Sequence, residues 1–494
     1  MRTHTRPGWV LALTSIASLM VLLDGMVVTT ALTTIRLDLG ATIEQLEWTV
    51  NAYTLSFAVL LATAAALGDR YGRRRMFMVG LAVFTVSSGA CALAPGIGIL
   101  IAARAVQGVG SAMVMPHAMA LLVAAYPPER RARALGLFSS VSGLATLGGP
   151  MVGGAIAQGA SWHWIFWLNV PIGTILILLV RGRIHESTVR PGRLDVGGLI
   201  LATTGALGLV WGLVKGNVAG WTSPEVLGAL AVGALAMMAF VRWELRVDRP
   251  MLPMRLFARR GFAAGNASGF LLYAGVFGAA FFMAQFFQVV EGTGPLGAGV
   301  RMMPWTVMLF LVAPVAGGLI NRVGERPLLM IGLAGQAIGF GSVALLATPG
   351  RPYWQLILPL VIAGSGVSMA MPAAQNATIA AVPAEAIGSA SGTFNTLRQL
   401  GGVFGIAILA AVFAGHGGYA SARLFSAGFR PALGVAALLS LVGATIGRWM
   451  PARPTPAPRM AYRHTTVASV GSSAASTAKD SMPVTHARMS SGDR

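Results

Sequence analysis

The chain has 494 residues, 55% of them hydrophobic and only 11% charged, against roughly a quarter charged in soluble domains. That balance excludes a water-soluble enzyme or binding domain. A formal net charge of +20 would suggest nucleic acid in a soluble protein, but here the arginines sit in short loops between apolar runs, where they report membrane topology instead.

Apolar runs long enough to cross a hydrocarbon core, which takes about 20 residues of helix, are predicted at 9–32, 47–67, 76–95, 98–125, 133–157, 164–181, 196–214, 225–241, 262–288, 302–320, 328–347, 354–380, 395–415 and 430–449. The expectation is an all-α integral membrane protein of about fourteen spans. Arg2 and Arg6 before the first run imitate a secretory signal, yet the run is too long and continues into Asp24 without a small-residue cleavage site. With a cytoplasmic N-terminus, the loops holding Arg70 and Arg73 to Arg75, then Arg130, Arg131 and Arg133, then Arg181, Arg183, Arg190 and Arg193 face inward. The same holds for Arg242, Arg246, Arg249, Arg255, Arg259 and Arg260, and for Arg322 and Arg326. The opposite loops carry little beyond Arg36, Lys215, Arg301, Arg351, Arg423 and Arg430. This positive-inside bias and an even span count put both termini in the cytoplasm of a multi-pass protein of the inner (plasma) membrane.

The single cysteine, Cys91 in span 3, cannot form an internal disulfide and reads as a packing residue. From about 451 the composition turns to Pro, Ser, Ala and Thr, too polar to offset chain entropy, and disorder is expected.

The basic loop Leu67-Gly68-Asp69-Arg70-Tyr71-Gly72-Arg73-Arg74-Arg75 recurs in weaker form at Leu319-Ile320-Asn321-Arg322-Val323-Gly324-Glu325-Arg326. Superposing the two pairs spans 1–6 with spans 9–14 and leaves spans 7 and 8 as an insertion. Two related halves around a central site is a common plan for secondary transporters. The expected division is a cytoplasmic N-terminus (1–8), an N-terminal six-helix bundle (9–181), a linker with two inserted transmembrane helices (182–261), a C-terminal six-helix bundle (262–449) and a disordered cytoplasmic tail (450–494). Asn321 replaces the acid of the first loop, so the second copy is expected to be an electrostatically weaker relic.

On these residues the chain resembles the major facilitator superfamily. Leu67, Asp69, Arg70, Gly72, Arg73 and Arg74 look like its motif A, with Ala65 at the usual first glycine; Arg104, Gln107, Gly108 and Gly110 look like motif B. Gly148, Gly149, Pro150, Gly153 and Gly154 look like motif C, the antiporter signature. The span count, Trp162-x-Trp164-x-Phe166-x-x-Asn169-x-Pro171, and Ser391-Gly392-x-x-Asn395-x-x-Arg398-Gln399-x-Gly401-Gly402 resemble the fourteen-helix drug:proton antiporter branch. The resemblance covers residues 9–450 and implies the major facilitator fold, two six-helix bundles plus two inserted central helices. It departs at span 1, where Asp24 is followed by Met26, Thr29, Ala31, Leu32 and Thr33 rather than the branch's polar pattern, and at His163, where arginine is usual.

An ionised acid in mid-membrane costs about 2.5–3.5 kcal/mol on insertion scales, so Asp24 reads as a proton or cation-substrate site, with a helix-packing hydrogen bond as the alternative. Arg104 keeps its charge and can influence a carboxylate; the resemblance implies a part in proton transfer, against a structural pair. Arg398, at the cytoplasmic start of its predicted span, reads as a snorkelling cation or a gating contact. His117 reads as a packing histidine that could titrate near neutrality. Gly68 and Gly72 permit a tight turn, Asp69 can bond a helix N-terminus or an arginine, and with Arg70 and Arg73 the family implies a clasp on the inward gate; a purely topogenic loop is the alternative. Gly148, Gly149, Pro150, Gly153 and Gly154 imply a bent, close-packed helix that prevents leak, or generic packing. Tyr53, Asn266, Tyr273, Gln285, Gln288, Asn376 and Asn395 are the candidates for substrate contact in a mostly apolar cavity.

No phosphate-binding glycine loop, metal set or nucleophile constellation is evident, so no cofactor and no enzymatic activity are expected, and a proton gradient is the driving force. The expected function is a proton-coupled exporter of amphiphilic drugs by alternating access, with small amphiphilic molecules, protons and the bilayer as partners. The alternative is a non-transporting membrane sensor or receptor on a transporter fold. It draws on the degraded span 1 pattern and the lack of a second obvious membrane acid.

Overall fold

Backbone polar groups in hydrocarbon must be satisfied within their own segment, and the long apolar runs fold accordingly as helices. The structure, a computed structural model, describes residues 7–186, 195–247, 250, 252–383 and 386–451. The N-terminal half consists of α1 (Pro7–Leu39), α2 (Ile43–Tyr71), α3 (Arg73–Ala92), α4 (Ile97–Ala125), α5 (Pro128–Gly159), and α6 (His163–Trp167) with α7 (Asn169–Arg183), the last two forming one span. A hairpin follows, α8 (Val196–Ala219) and α9 (Pro224–Glu244). The C-terminal half contains α10 (Arg260–Val289), four short segments α11 (Pro295–Arg301), α12 (Met303–Thr306), α13 (Met308–Leu311) and α14 (Ala313–Val323), and then α15 (Glu325–Leu346), α16 (Trp354–Ala380), α17 (Ile387–His416) and α18 (Ala422–Ile446).

Among the described residues, thirteen helices are long and apolar enough to cross a membrane. The remaining predicted span, 133–157, falls within α5, itself 32 residues long. The tail from 452 and the loop arginines Arg190, Arg193 and Arg249 lie outside the described residues, as does the side chain of Asn321. Span 10 departs from a single regular helix: it is divided into short segments at Met302, Val307 and Val312, although each of these residues still donates to the carbonyl four residues back. Pro304 and Pro314 account for this, since each removes a backbone donor and crowds the preceding turn.

In the first half α1 packs on α4 and α5, and α3 lies between α4 and α7; in the second, α10 packs on α16, α17 and α18, and α15 between α16 and α18. The α8–α9 hairpin docks on α2 and α17. The two basic loops share one backbone device. Gly72 (φ 103°) ends α2 and Gly324 (φ 94°) ends α14, each donating its N–H back to the preceding turn, to Gly68 and Ile320. That region of φ is open to glycine at little cost.

The core is unevenly divided along the length of the bundle. At the end away from Gly72, one apolar cluster joins both halves through residues such as Leu32, Ile35, Phe166, Phe282, Phe286 and Phe413. Toward the Gly72 end each half has its own cluster, around Phe77, Phe84 and Leu121 in the first and Leu272, Leu329 and Phe394 in the second. The halves are therefore sealed together at one end and packed separately at the other.

Candidate functional site

Asp24 and Arg104 meet in the middle of the first half as an ion pair whose side chains are both 0% exposed. Asp24 is enclosed by donors. Its Oδ2 accepts from Arg104 Nη1, and its Oδ1 accepts from Gln107 Nε2 at 3.0 Å and Asn169 Nδ2 at 2.9 Å. Gln107 also donates to Ser88 Oγ at 2.7 Å and accepts from Arg104, which donates to the Thr49 carbonyl at 3.2 Å. This is how a dry ion pair becomes tolerable: geometry and extra hydrogen bonds must offset the desolvation of both ions. Gly108 and Gly110 let the pair form. A Cβ at Gly108 would collide with the Tyr53 carbonyl, and one at Gly110 would lie 2.6 Å from the Phe84 nitrogen, so only glycines bring α4 this close to α2 and α3. Cys91 packs against the same Gln107, its thiol 3.7 Å from Oε1.

Tyr53 separates this pair from the central cavity. Its ring centroid lies 4.2 Å from the Arg104 guanidinium, and its hydroxyl donates to the Val21 carbonyl at 3.0 Å and accepts from Ser111 at 2.9 Å. The cavity lies between the halves, walled by Val21, Met26 and Phe57 on one side and Phe277, Trp305 and Met371 on the other. Asp24, 1% exposed, is not part of its wall.

Of the seven proposed substrate contacts, Tyr53 and Tyr273 line the cavity. The other five do not line it in this conformation. Asn266 donates to Phe262, Asn395 to Ser391, and Gln285 to Phe281, each within its own helix. Gln288 bridges the halves instead, donating to the Thr30 carbonyl at 2.9 Å, and Asn376 is exposed. The expected place of Arg398 is corrected. Because α17 begins at Ile387 rather than near 395, Arg398 lies three turns into its helix, about 16 Å from the start, and lines the cavity with Gln399 rather than standing at its mouth.

In the conformation described, the loop between α2 and α3 is held by near neighbours and by Glu186. Asp69 pairs with Arg73 one turn on, at 2.9 Å, with both side chains substantially exposed. Arg70 lies against its neighbour Tyr71. Glu186, which the sequence reading passed over, caps α3: its Oε1 accepts from the Arg74 N–H at 2.9 Å and its Oε2 from the Arg75 N–H at 3.0 Å. A carboxylate at a helix N-terminus satisfies free donors and the positive end of the dipole. Gly72 leaves room for that carboxyl, since a Cβ there would lie 2.6 Å from Glu186 Cδ. Gly68 is not a turn residue but a contact: it sits inside α2, and a Cβ would strike the His117 ring. His117, buried, hydrogen-bonds the Met113 carbonyl through Nδ1. Glu186→Ala is expected to cost about 1 kcal/mol, the usual worth of a lost N-terminal cap, and Asp69→Asn less, since exposed pairs contribute little. Thermal unfolding of the detergent-purified protein measures both, and a larger loss for Asp69→Asn would reverse the assignment.

The five motif C residues divide. A Cβ at Gly149 would lie 2.5 Å from Met26 Cβ, and one at Gly153 2.6 Å from the Val27 carbonyl, so these two press α5 on α1. Gly154 meets α11, where a Cβ would lie 2.7 Å from Leu296 Cα, and Gly299 of α11 meets α5 reciprocally, 2.8 Å from the Pro150 carbonyl carbon. Gly148 approaches no other helix closely. Gly154 and Gly299 thus make a seam between the halves at the sealed end. Beside it Glu291 pairs with Arg301 at 2.8 Å, and burial raises the Glu291 carboxyl above its ordinary range despite that cation.

A second buried acid is present after all. Glu47 of α2 is 3% exposed and its Oε2 has no hydrogen-bond partner. It shares a pocket with Arg36, Glu44 and Tyr419. The Arg36 guanidinium lies 4.4 Å from the centroid of the Tyr419 ring, a contact that ties the halves together, and Tyr419 donates to Gln285 within the second half. An acid five residues after Thr42 of the capping box reads in sequence as part of a solvated helix start, so the sequence gives no sign of its burial. Asn169 was visible only as part of a motif; a lone amide at the start of an apolar helix was the available signal.

A family model described as Major Facilitator Superfamily matches residues 14–406. Among curated relatives, the multidrug resistance protein Stp of Mycobacterium tuberculosis is 33% identical over 81% of this chain and 75% of its own length. The tetracenomycin C resistance and export protein of Streptomyces glaucescens is 34% identical over 84% and 77%. A methylenomycin A resistance protein of Streptomyces coelicolor is 35% identical over 80% and 83%. Among solved structures, a POT family transporter crystallised with 5-aminolevulinic acid superposes with a TM-score of 0.68 over 89% of this chain and 95% of the other, at 14% identity, which speaks to the fold alone.

Proposed function

The chain belongs to the major facilitator superfamily, and on that premise we propose that it exports amphiphilic drug-like compounds across the plasma membrane by alternating access, driven by protons and needing no bound cofactor. Resistance and export are what the relatives are named for. The observation that carries the proton-coupled reading is the dry Asp24–Arg104 pair set one tyrosine away from an apolar cavity between two halves. A membrane-buried ion pair that did nothing but hold helices together would be an expensive choice.

In the arrangement described, every hydrogen bond to Asp24 is a donation to a carboxylate oxygen. Proton uptake therefore requires at least one donor to withdraw. Rocking of the halves supplies that step, since Tyr53 faces the cavity and contacts Arg104: substrate pressing on Tyr53 shifts the guanidinium and frees Asp24 for a proton. One proton crossing the membrane contributes about 2.3 kcal/mol per 100 mV. With the basic loops cytoplasmic, the sealed end faces outward and the conformation is inward-facing.

Expression in a bacterial host stripped of its own pumps tests the reading. The chain is expected to raise inhibitory concentrations of several aromatic antibiotics and dyes severalfold and to lower their accumulation, with the effect abolished by a protonophore. Unchanged accumulation across the panel would remove the export reading, and export that persists after the protonophore would remove the coupling.

A further inference from the structure

Arg398 is a cation without a carboxylate. It lines the central cavity, its Nε is buried with no hydrogen-bond partner, and among the described residues no Asp or Glu lies within ion-pair distance of it. The sequence explains why: between 262 and 449 the acids are Glu291, which follows α10, Glu325, which opens α15, and Glu385, which lies outside the described residues. Across the cavity Asp24 is committed to Arg104 behind Tyr53. The contact supporting Arg398 is Tyr273, whose ring centroid is 5.4 Å from the guanidinium, and a cation over an aromatic face is only partly compensated. The rest of the wall is largely aromatic and aliphatic, with Phe57, Phe277 and Trp305 at hand.

We infer that Arg398 is an anion subsite and that the cargo of this exporter includes aromatic amphiphiles bearing a carboxylate. The inference rests on the export reading above and narrows its substrate class. A planar guanidinium presents paired N–H donors that match a carboxylate and cannot lose its charge. In an apolar cavity an anionic substrate completes the ion pair that the protein leaves open, while its ring system packs on Phe57, Phe277 and Trp305. Tyr273 holds the guanidinium against its face and keeps the fork in place between transport cycles. Neutral and cationic compounds can occupy the apolar wall but gain nothing from Arg398.

The test uses proteoliposomes of the full chain with an imposed pH gradient and three probes: 9-anthracenecarboxylate, the matching 9-anthracenecarboxamide, and ethidium. Wild type is expected to move the carboxylate better than the amide. Arg398→Gln is expected to lower carboxylate transport roughly tenfold or more, the scale of a lost charge-assisted hydrogen bond, with amide and ethidium changed less than about twofold and Arg398→Lys intermediate. Wild type that moves the amide or ethidium but not the carboxylate overturns the inference and leaves export standing, as does an Arg398→Gln variant that loses all three probes equally. Wild type that moves no compound in this or the resistance panel takes down both. A second measurement needs no variant: quenching of tryptophan fluorescence in purified wild type should report carboxylate binding roughly tenfold tighter than amide binding, and equal affinities overturn the proposal.

Discussion

Asp24→Asn is expected to abolish uphill transport while leaving a protein that still binds its substrates. One proton exchanged for one neutral drug sustains a concentration ratio of about fifty per 100 mV, and in the variant this ratio falls to unity. The loss is accompanied by destabilisation, since Arg104 is then a buried charge without its partner; breaking such a pair costs about 3–5 kcal/mol. The doubly neutral variant Asp24→Asn/Arg104→Gln should recover much of that stability and none of the coupling. Thermal unfolding and pH-jump transport on the three variants separate the two effects. A double variant as unstable as the worse single, or an Asp24→Asn variant that still builds a gradient, would show that the pair is not the coupling site.

Gly154→Val and Gly299→Val are expected to break the seal at the end away from Gly72, which faces outward on the proposed topology. Each would place side-chain atoms against backbone of the facing helix, Leu296 in one case and Pro150 in the other, and backbone cannot swing aside as a flexible side chain can. Overpacking of this kind costs about 1–3 kcal/mol, and the cheapest relief is to part α5 from α11. The chain offers a clean reporter, because its single cysteine, Cys91, is buried. Thr29→Cys, on the cavity wall, should react slowly with an impermeant external thiol reagent in the otherwise native protein and about tenfold faster with either valine present. Gly148→Val is the control from the same motif, since Gly148 approaches no other helix. If all three valines behaved alike, the seam would be ordinary packing.

The fold was largely legible because its signals are local. Apolar run length and the placement of proline and glycine each act over a few residues, and they located the spans and the Gly72 and Gly324 breaks. The interrupted span at 302–320 could have been read from Pro304 and Pro314. The site was legible only where residue chemistry is expensive. A mid-membrane Asp24 and a buried Arg104 announce themselves, and the structure brings them together. Amides do not announce themselves in the same way: Asn266 and Asn395 donate to their own helix backbone, whereas Gln107 and Asn169 reach across to Asp24. Which course an amide takes depends on helix rotation, a tertiary property. Arg398 was misplaced for a simpler reason. An eight-residue error in where α17 begins moved it from the cavity to the mouth.

The wall made by Tyr53 has a thermodynamic meaning. A carboxylate standing in the cavity would have to choose between proton and drug, and exchange would be competition for one group. With Asp24 as the proposed proton site and the cavity as the proposed substrate site, the two lie on either side of a phenol ring, and exchange becomes linkage between two sites. Whatever free energy substrate binding takes from proton affinity, proton binding must take from substrate affinity in equal measure. The strength of that linkage is set by how far the ring moves the guanidinium.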